Sequence, residues 1–164
     1  MTSQPDRVVL IGVAGDSGCG KSTFLRRLAD LFGSEFMNVI FLDDYPSLDR
    51  KQRKVAGVTA LNPKANNFDL MYEQIKALKA GTAIDKPIYN HETGELDPPE
   101  RIEPNHIVVI EGLHPLYDER VRDLLDFSVY LDISDEVKVT WKVQRDMAER
   151  GHTFDDVMAS PSRR

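Results

Sequence analysis

Short apolar runs recur along this chain at intervals that suit buried strands. Val8 to Val13 is a β-branched run bounded by glycine, and further runs cover Met37 to Leu42, Ile107 to Ile110 and Phe127 to Leu131. Runs of this length and composition are typical of strands that are buried on both faces of a parallel sheet. The pattern therefore predicts four strands.

Apolar residues at helical spacing separate these runs. The spacing predicts a helix from Lys21 to a glycine cap at Gly33, and further helices over Asp69 to Lys79 and Asp135 to Glu149. Strands separated by helices indicate an α/β domain with a largely parallel sheet, in which ligands bind at the carboxyl ends of the strands. Turn residues between two extended pieces predict a hairpin or flap over Lys86 to Arg101.

Composition restricts the class of protein further. The 164 residues, 41% of them hydrophobic and 29% charged, suit one soluble globular domain. A net charge of −6 argues against sequence-independent attraction to nucleic acid or to an anionic membrane. Cys19 is the only cysteine, no apolar segment is long enough to span a bilayer, and the polar start has no features of a signal or transit peptide. We therefore expect a cytoplasmic protein.

The strongest functional signal is the segment GDSGCGKS at residues 15–22, between the first predicted strand and the first predicted helix. In the pattern G-x-x-x-x-G-K-S, glycines let successive N–H groups point at phosphate oxygens, and the helix N-terminus adds partial positive charge. Lys21 supplies a cation for the terminal phosphates, and the Ser22 hydroxyl is a candidate magnesium ligand. The predicted nucleotide-binding residues are Gly15, Asp16, Ser17, Gly18, Cys19, Gly20, Lys21, Ser22 and Thr23.

Acidic residues follow two further strands. Glu111 closes the run IVVIEG, where an acid can hold a magnesium-bound water or orient phosphates. Asp43 and Asp44 end the second strand, where a carboxylate can accept the proton of an attacking hydroxyl. Because adjacent strand residues face opposite ways, only one of the two can point into the site. Capping of a turn is the alternative explanation for the pair.

Positive charge is concentrated in two places. Residues 50–54, RKQRK, carry four positive charges directly after these acids, where they form either an anion site or a solvated surface run. The other place is one face of the last predicted helix, with Lys142, Arg145, Asp146 and Arg150. Ordinary i,i+4 ion pairs explain that face without a ligand. His91, in the predicted flap, either bonds a sugar or is simply exposed.

Six segments follow one another along the chain: GVAGDSGCGKSTF, LDDYxSLDRKxRK, NNFDLMYEQ, KPIYNHETGELDPPE, VVIEGLHPLYDERVR and QRDMAERGHT. Together they resemble the phosphoribulokinase family, in the form found in cyanobacteria and chloroplasts. The resemblance implies a P-loop NTPase-type three-layer fold and the use of ATP and Mg²⁺. It further implies phosphorylation of ribulose 5-phosphate to ribulose 1,5-bisphosphate in the Calvin cycle, a homodimer, and a complex with glyceraldehyde-3-phosphate dehydrogenase and a small linker protein.

The resemblance also assigns site residues by position. The catalytic base falls on Asp43, with Asp44 in a supporting role, and Glu111 matches a metal-associated acid. Asp146 matches a further acid of the site, so the implied catalytic residues are Asp43, Lys21 and Asp146. The implied sugar-phosphate contacts are Arg50, Lys54, His91, Lys142, Arg145 and Arg150.

This chain departs from the family at several points. Pro46 stands where relatives have a histidine, and Phe41 where relatives from oxygenic phototrophs have a cysteine that pairs with the one in the loop. We expect residues 1–164 to form a single P-loop kinase domain without the family's C-terminal portion, and Cys19 to be a reactive thiol. Two alternatives stay open: a uridine-type nucleoside kinase, and a catalytically silent nucleotide-binding or assembly module.

Overall fold

The chain alternates strands and helices from its start. The computed structural model describes residues 5–150, without the side chains of Lys142, Arg145, Asp146 and residues 148–150. The elements are β1 (Val9–Gly15), α1 (Lys21–Phe32), β2 (Met37–Phe41), α2 (Arg50–Ala56), α3 (Phe68–Lys79), β3 (Ile84–Tyr89), β4 (Leu96–Ile102), β5 (Ile107–Gly112), α4 (Glu119–Leu124), β6 (Phe127–Leu131) and α5 (Asp135–Arg150). None of the helices in this part of the chain has the length and apolar character that a membrane crossing requires.

Four parallel strands form the main sheet, in the order β2-β5-β1-β6. They are the four strands that the apolar runs predict, each within two residues of the expected ends. Because all four run the same way, the segments that follow β1, β2 and β5 meet at one edge of the sheet. The candidate site lies at this edge.

Helices cover both faces of the main sheet. On one face Leu10, Ile40 and Ile110 pack against α3 and α4, and on the other face Val13 and Val109 pack against α1. Alternate strand residues point to opposite faces, so a run that is apolar throughout is buried on both sides. The predicted three-layer α/β fold is confirmed.

The predicted flap is a separate two-stranded antiparallel sheet made of β3 and β4. Its register shifts between Lys86 and Ile88, where Pro87 of β3 faces both Pro98 and Pro99, so the extra residue of this irregularity lies in β4. We call this unit, residues 84–102, the hairpin. It lies outside the main sheet, so contacts with other elements fix its position.

Two short helices do not appear among the predicted elements. α2 has seven residues and buries none of them, and α4 has six residues and buries only Val121. Such helices lack the repeated apolar positions from which a helix is predicted. One expectation about β2 is wrong: Asp43 and Asp44 do not end the strand but lie in a 3₁₀ turn, Leu42–Asp44, that follows it.

Candidate active site

Glycines shape the loop between β1 and α1. A Cβ at Gly15 would lie 2.7 Å from the backbone oxygen of Leu131 in β6, so no larger residue fits there. Gly20, directly before α1, has a φ of 93°, in the left-handed region that favours glycine. The first turn of α1 has neither a side-chain cap nor an acidic residue. Its N–H groups can therefore serve an anion.

The ammonium of Lys21 lies inside this loop. Its Nζ donates to the backbone oxygens of Gly15 and Asp16 at 2.7 and 2.9 Å, and it lies 3.7 Å from a carboxylate oxygen of Glu111. Only 13% of the lysine side chain is exposed. A cation thus lies beside the uncapped first turn of α1, the arrangement that phosphate groups require.

Cys19 is packed within the loop. The residue is 4% exposed, and its sulfur lies against Gly15, 2.5 Å from the position that a Cβ there would take. A thiol reacts when its thiolate is accessible. Cys19 also lines a cavity together with Thr23 and Trp141, and its reactivity stays a prediction.

A cavity of about 710 Å³ opens at the carboxyl ends of β1 and β5. We call it the main cavity. Six of the nine predicted nucleotide-binding residues line it: Ser17, Gly18, Gly20, Lys21, Ser22 and Thr23. Asp43 and Glu111 also line it, so the structure brings the loop and two of the predicted acids together. The volume lies within the usual range of small-molecule sites.

Glu111 is an acid of the main cavity whose pKa is shifted from its ordinary value. Burial raises its pKa above the ordinary 4.5, the nearby Lys21 ammonium lowers it, and the Asp43 carboxylate raises it again. A divalent cation beside Glu111 would act in the same sense as Lys21 and favour the carboxylate.

The residues present fit Mg²⁺ rather than a metal held by protein alone. Within the described part of the chain, no three His, Cys, Asp or Glu residues gather as a metal site. Mg²⁺ is commonly bound by one or two protein oxygens together with water and substrate phosphates. Ser22 and Glu111 line the same cavity and offer a hydroxyl and a carboxylate of this kind.

Asp43 and Asp44 face different parts of the molecule. Asp43 lines the main cavity, whereas Asp44 accepts hydrogen bonds from Lys86 Nζ at 2.6 Å and from the backbone N–H of Tyr89 at 3.1 Å. The expectation that only one of the pair points into the site thus agrees with the structure. The reason given for it is wrong, because a 3₁₀ turn rather than strand alternation separates their directions.

A smaller cavity of about 140 Å³, which we call the basic pocket, adjoins the main cavity. Its lining residues are Asp43, Pro46, Arg50, Arg53, Ala60, Ala65, Asn66, Tyr89 and His91. Asp43, Ala60 and Asn66 line both cavities. Two guanidinium groups and an imidazole make the basic pocket suitable for an anion.

Arg53 is a residue of the basic pocket that the sequence does not single out. Its Nη2 donates to the hydroxyl of Tyr89 at 2.8 Å, and its guanidinium lies 5.4 Å from the centre of that ring. Lys54, for which a phosphate contact is predicted, is exposed and lines neither cavity. The structure thus brings Arg53 rather than Lys54 to the pocket.

Arg50 joins α2 to the hairpin. Its guanidinium donates to the backbone oxygens of His91 and Glu92, the latter at 3.2 Å, and its own N–H donates to Gly94 at 3.1 Å. The imidazole of His91 meets Tyr89 edge-on, with 4.9 Å between the ring centres. The basic pocket is therefore enclosed by two elements that contact each other.

The predicted residues of the last helix fall outside what the structure describes. These are the side chains of Lys142, Arg145, Asp146 and Arg150, whose backbone belongs to α5. Trp141 and Gln144 of the same helix line the main cavity, so α5 borders the site. A further cavity of about 450 Å³ lies on the α5 side of the loop, where Phe24, Leu131 and Trp141 line it.

A parallel sheet with a G-x-x-x-x-G-K-S loop after an interior strand, and acids at the same edge, defines a domain of the P-loop NTPase type. The comparisons give the family: the model of the phosphoribulokinase / uridine kinase family matches residues 10–164. The chain belongs to this family.

Individual relatives agree with this assignment. The chain is 79% identical over 98% of its length to a phosphoribulokinase from Synechocystis sp., of which it covers 48%. It is 32% identical over 94% of its length to a uridine kinase from Limosilactobacillus reuteri, of which it covers 72%. A solved phosphoribulokinase from Rhodobacter spheroides has the same fold, with a TM-score of 0.64 at 17% identity, over 94% of this chain and 62% of that one. The chain spans about half the length of the curated phosphoribulokinases that it matches.

Proposed function

We propose that the chain carries the catalytic centre of an ATP-dependent phosphoribulokinase. The reaction is transfer of the γ-phosphate of ATP to D-ribulose 5-phosphate, which yields ribulose 1,5-bisphosphate in the Calvin cycle. The 79% identity to the Synechocystis phosphoribulokinase supports this substrate. One observation carries the proposal: Asp43 lies in the wall shared by a cavity with a phosphate-binding loop and a pocket lined by arginines.

The main cavity would bind the phosphate donor. The N–H groups of residues 15–23 and the ammonium of Lys21 supply the contacts for the phosphates of ATP. The cavity lined by Phe24, Leu131 and Trp141 offers apolar and aromatic surface for the adenine base. Mg²⁺, which Ser22 and Glu111 would hold, neutralises charge on the β- and γ-phosphates when it is bound.

The basic pocket would bind the acceptor. Arg50, Arg53 and His91 suit the 5-phosphate, because guanidinium groups bind phosphate through paired, charge-assisted hydrogen bonds. A volume of about 140 Å³ is small for a whole sugar phosphate, so the sugar would extend past Asp43 into the main cavity. Lys142, Arg145 and Arg150 of α5 are proposed as further phosphate contacts, and Lys54 as a peripheral one.

The chemistry follows from this arrangement. Asp43 would accept the proton of the C1 hydroxyl as its oxygen attacks the γ-phosphate. Lys21 would balance the charge that develops on the transferred group, and binding both substrates against a common wall would align them for in-line transfer. Asp146 is proposed as a further acid of this site.

Further expectations rest on the family likeness alone. We propose that the 164 residues form one P-loop kinase domain acting in the cytoplasm. We also propose that the protein forms a homodimer and takes part in the assembly with glyceraldehyde-3-phosphate dehydrogenase and a small linker protein.

The test is phosphorylation by the purified 164-residue protein, followed as ADP release with ribulose 5-phosphate or uridine as the acceptor. We expect turnover with the sugar phosphate only. Asp43→Asn should abolish it and leave the dissociation constant for MgATP within about twofold, because a catalytic base acts on the acceptor and not on the nucleotide.

Each other outcome contradicts a stated part of this proposal. Turnover with uridine alone would identify a nucleoside kinase. Binding of MgATP without either product would indicate a silent nucleotide-binding module, and wild-type turnover by Asp43→Asn would exclude Asp43 as the base.

A further inference from the structure

Lys86 is an unusual residue for the interior of a protein. Among the described side chains it is the only buried charged one, and the residue is 5% exposed. Its Nζ lies 2.6 Å from Asp44 Oδ2, and the Asp44 side chain is itself 15% exposed. The ion pair therefore lies almost entirely out of water.

The Asp44 carboxylate binds the hairpin at two points. One oxygen accepts the ammonium of Lys86, and the other accepts the backbone N–H of Tyr89 at 3.1 Å. Between these two residues the regular pairing with β4 is interrupted, where Pro87 faces the extra residue of β4. Such an irregularity changes the local twist of the paired strands, and here Lys86 and the Tyr89 N–H both meet one carboxylate.

Stability alone gives a poor account of this pair. A buried ion pair seldom stabilises a fold more than apolar residues of the same volume, because both charges lose their hydration. Such a pair does fix a geometry, since either charge without its partner is strongly unfavourable in the interior. The question is therefore what the pair positions.

The two sides of the basic pocket meet at this pair. Asp43 directly precedes Asp44 in the 3₁₀ turn, and Tyr89 and His91 stand on the hairpin side of the same pocket. Among the other polar contacts of the hairpin, those from Gln74 to Asp85 and from Arg50 to Glu92 lie at exposed positions, and the one from Arg53 to the Tyr89 hydroxyl is partly buried but joins no two charged groups. Water competes less with a buried contact than with an exposed one.

We propose that Asp44 and Lys86 form a positioning pair that fixes the hairpin against the turn carrying Asp43, so that the acceptor pocket is assembled before substrate binds. The acceptor role of that pocket rests on the proposed function; the anchoring of the hairpin does not. Neither residue of the pair lines the main cavity. The pair should therefore affect the acceptor and leave the nucleotide unaffected.

The test compares Lys86→Met with the double variant Asp44→Asn, Lys86→Met. Lys86→Met leaves a buried carboxylate unpaired, whereas the double variant removes both charges and should recover most of the lost thermal stability. In both variants we expect hydrogen exchange of hairpin amides to rise about tenfold relative to β1 and β5. The dissociation constant for ribulose 5-phosphate should rise about tenfold, and that for MgATP should stay within about twofold.

Lys79→Met is the matched control. Lys79 also pairs with an aspartate, Asp126 at 3.5 Å, but it lines neither cavity, so both dissociation constants should stay unchanged. The inference would be overturned if hydrogen exchange of the hairpin amides were unchanged in the double variant. It would also be overturned if the affinities for ribulose 5-phosphate and MgATP fell to the same extent. A wild-type protein that binds MgATP but no ribulose 5-phosphate would overturn the proposed function, and hairpin exchange would still decide whether the pair anchors the hairpin.

Discussion

Side-chain direction within α2 decides which of its cations can meet an anion. Arg53 turns towards the hairpin and donates to Tyr89, whereas the neighbouring Lys54 is exposed. Stacking on the tyrosine ring and a hydrogen bond to its hydroxyl hold the guanidinium in place. The two cations are adjacent in sequence and differ in what they can bind.

Arg53→Ala and Lys54→Ala form a matched pair of variants. We expect Arg53→Ala to raise the dissociation constant for ribulose 5-phosphate by about 10- to 100-fold, since a hydrogen bond to a charged group contributes about 1.5–3 kcal/mol. Lys54→Ala should stay within about twofold, as is usual for a solvated charge. Titration calorimetry with each variant measures both values. A larger effect of Lys54→Ala than of Arg53→Ala would show that Lys54 is the phosphate contact.

At the scale of the element, α2 depends on its first turn. Asp49 accepts the backbone N–H of Gln52 at 2.7 Å, and the Gln52 side chain accepts the backbone N–H of Asp49 at 3.0 Å. This capping box matters because the helix buries none of its seven residues. Local hydrogen bonds, rather than core packing, start the element that carries both arginines.

Asp49 does not line the basic pocket, but Asp49→Ala should weaken acceptor binding because it destabilises α2. Loss of an N-cap costs about 0.5–2 kcal/mol of helix stability. We expect a higher dissociation constant for ribulose 5-phosphate and an unchanged one for MgATP. Asp49→Asn keeps the acceptor oxygen and should bind like the wild type. Equal losses for Asn and Ala would show that the charge of Asp49, rather than its cap, is what matters.

Prediction of elements from the sequence succeeded where burial drives them. The strands and long helices follow from apolar residues, because the sheet is covered on both faces. α2 gave no such signal, although the D-x-x-Q spacing of Asp49 and Gln52 indicates a helix start. The loop was predictable from the spacing of its glycines. The run RKQRK, which includes Arg53, was a candidate anion site. The choice of Arg53 within it and the role of Lys86 were not predictable, because both depend on where the hairpin packs.

At the scale of the whole molecule, Asp126 contacts residues that are distant from it in sequence. Its carboxylate accepts the backbone N–H of Leu10 and the guanidinium of Arg7, each at 2.9 Å, and meets Lys79 at 3.5 Å. The hydrogen bond from Leu10 is the main reason why the pKa of Asp126 lies below its ordinary 3.8, and burial partly opposes it. The chain start, β1 and the end of α3 thus share one carboxylate.

This contact predicts how stability depends on pH. The folded protein binds the Asp126 proton less tightly than the unfolded chain does. The contribution of Asp126 is therefore fully present above the ordinary pKa, and it is lost as the pH falls through the ordinary value to the lowered one. Asp126→Asn should lower the free energy of unfolding by about 1–3 kcal/mol at neutral pH and by less near pH 3.

Urea unfolding at the two pH values measures this difference. Asp85→Asn is the control, because Asp85 and Arg101 meet at the surface with side chains 64% and 61% exposed. That variant should change the free energy of unfolding by less than about 0.5 kcal/mol. An equal loss for Asp126→Asn at both pH values would contradict the assignment.

The walls proposed for the donor and the acceptor have different origins in the chain. One unbroken stretch, residues 15–23, is proposed to bind the nucleotide phosphates, whereas the basic pocket consists of residues from the turn after β2, from α2, from residues 60–66 and from the hairpin. Substitutions in these dispersed segments can therefore change which molecule is phosphorylated, while the residues proposed to bind the triphosphate stay the same. The family description names both phosphoribulokinase and uridine kinase. Two such acceptors are expected in one family if the acceptor site varies separately from the nucleotide site.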